Sequence, residues 1–258
     1  MRPDVNPYRH GAKLIFDRFV WDLHPESWRS RSRLKREKGS RSGRALILCN
    51  GPSLNEVDFE ALENSGVFTI GLNKINLLFE RSSFRPDMIV AVNGHVIKQN
   101  AKFFRETDIP LYLSSRGQRD IGSREHVTYL HHSAQQKFAC DCSWSIPMGY
   151  TVTYVAMQLA YHLGFEEIGL VGCDHNFASK GRPNEAVKAG DSDPNHFDPR
   201  YFSQGVTWQL PDLIGSEHYY NLARLAWEEN GRRIVNCTAG GKLEIFPRET
   251  MEEFLLKS

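Results

Sequence analysis

Apolar and polar residues alternate along most of the chain in blocks that are typical of an α/β protein. Seven short apolar runs predict strands, at 45–49, 67–71, 88–92, 110–113, 127–130, 168–171 and 234–237. Segments with helical spacing of apolar residues predict helices at 54–64, 151–163, 216–229 and 249–256. Strands that alternate with helices form a mostly parallel sheet covered on both faces. The pattern therefore predicts a Rossmann-like α/β fold, with a catalytic domain over 44–258.

The first 43 residues do not follow this alternation and are expected to form an N-terminal arm. Residues 12–23 carry apolar side chains at helical spacing, and the segment after Pro25 is rich in Lys and Arg. Two interpretations fit this pattern. The helix packs on the domain and a solvated basic linker follows it, or residues 12–44 make a peripheral contact with an anionic membrane.

Composition and charge narrow the classes of protein that fit. Of 258 residues 40% are hydrophobic and 24% charged, and the formal net charge of +1 favours no nucleic-acid partner. No apolar run is long enough to predict a membrane-spanning helix, and Met1 is not followed by the apolar core of a secretory signal. The five scattered cysteines fit reduced thiols, so we expect a cytoplasmic protein.

Asparagines follow the first three predicted strands, where parallel sheets bind their ligands. They are Asn50, Asn73 and Asn93, and their neutral amides suit the hydroxyl pattern of a sugar or nucleoside. Gly51 would let the backbone approach a ligand, and Ser53 opens a segment that reads as a helix with a capping box. Free N–H groups at that helix start could bind an anion, or Ser53 could serve only as a cap.

Two further groups could hold phosphate or a metal ion. Gly149, Thr151 and Thr153 lie at the start of the apolar helix, where hydroxyl groups either cap the helix or bind phosphate. Asp191 and Asp193 form a DxD triplet that could bind Mg²⁺ or Mn²⁺ beside a diphosphate, or belong to a solvated loop.

Residues 174–215 show little periodicity, and an irregular stretch of about forty residues in a compact domain tends to be a lid or a binding loop. His196 within it is the candidate general base, because the ordinary pKa of histidine lies near neutrality. His175, beside Asp174 at a strand end, is the rival candidate. Tyr201 could donate a hydrogen bond to phosphate.

Several segments together resemble the MptE-like group, also called the DUF115 family. They are CNGPSL, the strand ends GLN and VNG, and the stretch TVTYVAMQLAYHLGFEEIGLVGCDHNF, within roughly residues 44–240. The group is related to bacterial sialyltransferases, and the later segments look like its branch found with cell-surface polysaccharide genes.

The resemblance implies two activities. A sialyltransferase-like enzyme would place a CMP-linked nonulosonic acid among the asparagines, the NGPSL loop and the hydroxyls of Thr151 and Thr153. A pterin diphosphokinase would instead transfer diphosphate from ATP with Mg²⁺. Sialyltransferases of this type carry their histidine just before the penultimate helix, where this chain has PDLIG and thus departs from the pattern, which leaves His196, or else His175, for that role.

We therefore expect a glycosyltransferase that moves a sugar from a nucleotide-linked donor, CMP-linked in the first instance, to a cell-surface glycan acceptor. The alternatives are the Mg²⁺-dependent diphosphokinase and a non-catalytic nucleotide-binding module.

Overall fold

The computed structural model describes residues 6–177, 181–202 and 205–257. Its centre is one sheet of strands β1 (Arg44–Leu48), β2 (Phe68–Leu72), β3 (Met88–Ala91), β4 (Leu111–Ser114), β5 (Val127–Leu130), β6 (Glu167–Val171) and β7 (Arg233–Asn236). Neighbouring strands are all parallel, in the order β7-β6-β1-β2-β3-β4-β5. The predicted Rossmann-like sheet is confirmed.

Helices cover both faces of the sheet. They are α1 (Pro7–Leu23), α2 (Pro25–Glu37), α3 (Phe59–Ser65), α4 (Gly94–Gln99), α5 (Ala101–Glu106), α6 (Gln118–Ile121), α7 (Val152–Leu163), α8 (Leu213–Glu228) and α9 (Met251–Leu256). Successive residues of β1 point to opposite faces, so Ala45 and Ile47 join the core around α7, while Leu46 and Leu48 join the core on the α4 side.

The helix α7 lies entirely within the core, as its apolar sequence predicts. All of its residues from Thr153 to Leu163 are buried. Thr151 caps its start by accepting a hydrogen bond from the N–H of Thr153, at 3.3 Å. Gly164 ends it in the left-handed region, with φ of 111°, which glycine adopts without steric cost.

The predicted helix over 54–64 is wrong. The chain instead forms a short 3-10 helix at Pro52–Glu56, an extended link, and α3 with Asp58 as its cap. The predicted capping box is also wrong, because the Ser53 hydroxyl donates to the carboxylate of Asp174 at 2.8 Å. The N–H and hydroxyl of Ser53, which the sequence assigned to a capping box, therefore donate to the distant carboxylate of Asp174.

The basic stretch after Pro25 is helical, where the sequence predicted a linker. Pro25 is the first residue of α2, and the ring of His24 accepts a hydrogen bond from the N–H of Glu26 at 3.1 Å. The helix packs along the edge strand β5, where the Ser30 hydroxyl accepts from the N–H of Tyr129 at 2.9 Å. Across the described residues, no helix is long and apolar enough to cross a membrane.

The segment 174–215 is less irregular than predicted. Its described residues include an antiparallel pair of short strands, Ala186–Lys188 and Thr207–Gln209. Residues 178–180 and 203–204 of this segment lie outside the described residues. The segment is fixed to the sheet, since the N–H of Phe197 donates to the carbonyl of Asn50 at 2.9 Å. We call 174–215 the capping segment below.

Candidate active site

The strand order creates a crevice between β1 and β6, because the chain proceeds from β1 in one direction and returns to its other side with β6. Doubly wound sheets bind ligands at such a switch point, outside the carboxyl ends of the strands. Here Asn50 and Gly51 follow β1, and Gly172 and Asp174 follow β6. The N–H of Gly51 donates to the carbonyl of Gly172 at 2.8 Å, which joins the two loops.

Asp174 binds the loop after β1 from within the protein. Its carboxylate accepts from the Ser53 hydroxyl and, at 3.3 Å, from the Ser53 N–H. A Cβ atom at Gly51 would lie 1.9 Å from Asp174 Oδ2, so the close approach of this carboxylate requires glycine. The donors that we expected to meet a ligand anion are thus occupied, and Asp174 acts as a positioning residue for the loop.

Two buried amide oxygens at the crevice have no hydrogen-bond partner among the described residues. The side-chain nitrogen of Asn50 donates to the Leu72 carbonyl at 3.0 Å, but its oxygen is unpaired, as is the side-chain oxygen of Asn73. Asn73 also has a φ of 50°, a conformation that costs energy and is common at functional sites. Buried polar atoms are nearly always paired, so both oxygens are available to accept from a bound molecule.

Asn93, the third asparagine at a strand end, has a different role. Its side-chain oxygen accepts from the N–H of His95 at 2.9 Å and caps α4. Asn93 also lines the larger of the two cavities described below, where its amide nitrogen could donate to a ligand.

Two adjoining cavities occupy this edge of the sheet. The smaller, of about 170 Å³, lies in the crevice, and the larger, of about 1230 Å³, extends across the ends of β3 to β5 towards α1. Ligand pockets usually measure about 300–1,000 Å³, so a nucleotide needs part of the larger one. Both cavities share the walls formed by Asn73, Tyr150, Thr151, Val152, Phe177, His196, Tyr201 and Pro211.

His196 stands at the junction of the cavities in a fixed orientation. Its Nδ1 lies 2.7 Å from Asp193 Oδ2, and its ring stacks on Tyr201 with centroids 3.9 Å apart and planes 1° apart. Because the carboxylate accepts from Nδ1–H, Nε2 is the ring atom left for proton transfer. The carboxylate therefore fixes both the orientation of the ring and its tautomer.

His175 is held differently. Its Nε2 lies 2.9 Å from Glu217 Oε1, and its φ is 51°. It lines only the smaller cavity, whereas His196 lines both. His196 is therefore better placed to meet a second substrate in the larger cavity.

The two aspartates of the DxD triplet are not arranged as a metal site. Both oxygens of Asp193 accept from the protein: Oδ1 from the N–H of Asn195 at 2.9 Å, and Oδ2 from His196 and the N–H of Phe202. Asp191 is exposed. Within the described ranges, no three His, Cys, Asp or Glu side chains cluster closely enough to hold a metal ion. These residues do not fit Mg²⁺ or Mn²⁺.

Lys74 is a site residue that the sequence analysis missed. Its ammonium donates to the Tyr201 carbonyl at 2.6 Å, lies over the rings of Tyr201 and Phe202, and is 8% exposed. Burial lowers the pKa of Lys74 to about 8, which the charge of Asp193 partly opposes. Lys74 therefore ties the capping segment to the end of β2. The sequence signal that could have identified Lys74 is its position directly after Asn73, at the end of a predicted strand.

Tyr201 is buried more deeply than its predicted role as a donor to phosphate requires. It is buried, and burial raises the pKa of its hydroxyl while the neighbouring Asn73 side chain lowers it. Its main contribution is the flat surface on which the His196 ring rests.

The start of α7 faces both cavities. The Thr151 hydroxyl lies 3.4 Å from the hydroxyl of Tyr220, and that of Thr153 lies 3.7 Å from Cys49 Sγ. Gly149 has a φ of 57°, and a Cβ there would lie 2.3 Å from the Tyr154 ring. Since the N-terminus of a helix carries partial positive charge, this wall favours a phosphate.

Two arginines in the larger cavity were also missed. Arg116 and Arg119 follow β4, line the cavity and are exposed. The histidines near them supply no charge at neutral pH, because burial lowers the pKa of His131 to about 4 and also lowers the pKa of His132. Arg116 and Arg119 are therefore the cations of this wall that could pair with a phosphate.

Fold and site together define a class: a doubly wound α/β protein with two adjoining cavities at the carboxyl ends of its strands. Within that class, the chain belongs to the MptE-like family, described as 6-hydroxymethylpterin diphosphokinase MptE-like, whose model matches residues 26–180. The suspected family is thereby confirmed, with a match that begins inside α2 instead of near residue 44.

A similar solved structure is that of the MAf glycosyltransferase from Magnetospirillum magneticum AMB-1. The two chains share 18% sequence identity with a TM-score of 0.52 over 88% of this chain, which shows a common fold. The alignment covers 38% of the glycosyltransferase chain. No curated protein matches the sequence.

Proposed function

We propose that the protein is a glycosyltransferase that transfers a sugar from a nucleotide-linked donor to a glycan acceptor. CMP-linked sugars are the first candidates for the donor. The observation that carries this proposal is His196, oriented by Asp193 and stacked on Tyr201 where the two cavities meet. The fold shared with the MAf glycosyltransferase is consistent with it.

The donor nucleotide would occupy the crevice and the adjoining part of the larger cavity. Ribose hydroxyl or base amino groups would donate to the unpaired oxygens of Asn50 and Asn73. The phosphate would lie between the start of α7 and the side chains of Arg116 and Arg119. These positive groups stabilise the charge that develops on the phosphate as the bond to the sugar breaks.

The acceptor would enter from the larger cavity and meet His196. Its hydroxyl oxygen forms the new bond to the anomeric carbon, and its proton passes to His196 Nε2. The bond between the anomeric carbon and the phosphate oxygen breaks, and the nucleotide leaves with that electron pair. The capping segment, tied down by Lys74 and Phe197, limits the access of water, which would otherwise compete with the acceptor.

The test is nucleotide release from a CMP-linked nonulosonic acid, measured with and without glycan acceptors. We expect His196→Ala to lower the rate of transfer by about 10²–10⁴-fold while donor affinity changes little. His218→Ala is the matched control, since His218 is exposed on α8 and lines neither cavity. A His196→Ala protein with the full rate of transfer would exclude this residue as the base.

A second candidate is the diphosphokinase, which the family description favours. In that reaction a pterin hydroxyl oxygen bonds to the β-phosphorus of ATP, and AMP leaves. AMP release from ATP, Mg²⁺ and 6-hydroxymethylpterin would support it. Nucleotide binding without turnover of any donor would instead support a non-catalytic module.

A further inference from the structure

The outward face of α1 is apolar and uncovered in this structure. At about 100° per residue, Ile15, Phe16 and Phe19 lie opposite Trp21, the buried residue of the helix. Their side chains are 72%, 65% and 59% exposed. A contiguous face of large apolar side chains marks a contact with a partner or a membrane.

The helices of the arm are together positively charged. Helix α1 carries Arg9, Lys13 and Arg18 against Asp17 and Asp22, and α2 adds five Lys and Arg against two Glu. On α1 itself, Arg9 and Lys13 border the apolar face and are exposed. Neither forms an ion pair with any of the residues that the structure describes.

We propose that α1 docks the protein on an anionic lipid surface, with Ile15, Phe16 and Phe19 inserted among the lipids. Arg9 and Lys13 then lie at the level of the negative headgroups. An apolar face bordered by cations is the pattern of an interfacial helix. Tyr8 and Trp28 are exposed near the two ends of α1, and aromatic side chains of this kind favour the membrane interface.

Charge also decides between a lipid surface and a second copy of this chain. Two copies that covered their α1 faces mutually would bring two strongly basic arms together, and like charges oppose such an interface. An anionic surface instead pairs with the same cations.

Docking would place the candidate site beside the lipid surface. Leu14 and Trp21, on the inner side of α1, line the larger cavity, and Phe16 borders it at the edge of the apolar face. The cavity would therefore open next to the membrane, whichever reaction the protein performs.

The test is flotation of the full chain with vesicles of phosphatidylcholine, alone or mixed with phosphatidylglycerol. We expect the protein to float with the mixed vesicles only. Ile15→Gln combined with Phe19→Gln, and separately Arg9→Gln combined with Lys13→Gln, should each weaken binding by about ten-fold or more. The four side chains are exposed, so thermal unfolding should stay close to that of the unchanged protein.

Controls of matched chemistry lie elsewhere on the surface. Ile214→Gln on α8 replaces an apolar side chain that is 83% exposed, and Lys102→Gln on α5 removes an exposed cation. Both should float like the unchanged protein. Protein that stays at the bottom with anionic vesicles would overturn the proposal. The proposal would also be overturned by a lipid-free dimer that Ile15→Gln with Phe19→Gln separates into monomers, when the unchanged protein does not float with anionic vesicles.

Discussion

Lys74 shows how much of the site depends on single buried polar groups. Its ammonium holds the backbone of Tyr201, whose ring supports His196, so one lysine fixes the candidate base through two contacts. Removal of one partner from a buried hydrogen bond leaves the other unsatisfied and costs about 1–3 kcal/mol. A mutation at Lys74 should therefore affect both stability and the site.

The lowered pKa of Lys74 predicts a pH dependence of stability. Folded Lys74 releases its proton near pH 8 and the unfolded lysine near 10.5, so between these values the unfolded state binds more protons. Stability then rises with pH across this window, by up to about 3 kcal/mol for this group. Relative to Lys74→Met, the free energy of unfolding of the unchanged protein should increase between about pH 7.5 and about pH 9.5.

Denaturant unfolding at the two pH values measures this difference. Lys102→Met is the control, because Lys102 is exposed on α5 and should show the pH dependence of the unchanged protein. If Lys74→Met follows the same curve as the unchanged protein, the ammonium is not buried as described.

Among the secondary-structure elements, α2 has the clearest structural task. It lies along β5, the edge strand, whose exposed backbone groups would otherwise be open to pairing with another chain. The Ser30 hydroxyl accepts from the N–H of Tyr129, and the Arg29 guanidinium donates to the Val127 carbonyl at 2.8 Å. The arm is thus part of the folded sheet layer at this edge.

Ser30→Ala should therefore destabilise the protein by about 1–3 kcal/mol, because it leaves the buried N–H of Tyr129 without a partner. Hydrogen exchange of the Tyr129 amide should also accelerate. Ser32→Ala lies on the same helix but at an exposed position, and it should change neither quantity. Equal stability of the two variants would mean that α2 does not protect this edge.

The elements that the sequence predicted well are those with a strong local pattern. The strand at 127–130 is a short apolar run whose bounds the structure reproduces. The helix α7 combines a Thr151 cap, a Gly164 end and apolar residues over three turns, which leaves few alternatives. The short helices α4 to α6 went unpredicted because a single turn or two has little periodicity. The helix predicted at 54–64 failed because the chain is extended at Val57 and Asp58 caps a separate helix, α3.

At the scale of the whole molecule, the strand order determines where the chemistry lies. The carboxyl ends of β1 and β6 form the crevice, and the described part of the capping segment is bonded to its rim through Phe197. The strand-end asparagines could be predicted because sequence position alone puts them at that edge. Arg116 could not, because its place in the larger cavity depends on how β4 and α1 enclose the same space.

On the proposed function, the crevice and the adjoining part of the larger cavity bind a nucleotide through protein groups alone. The most direct measurement is a calorimetric titration of the purified protein with CMP in the presence of a chelator, and with ATP with and without Mg²⁺. We predict that CMP binds once per chain without a metal ion, and that Arg116→Gln weakens it. Binding of ATP only with Mg²⁺ would favour the diphosphokinase, and no heat with either nucleotide would contradict the account of the site.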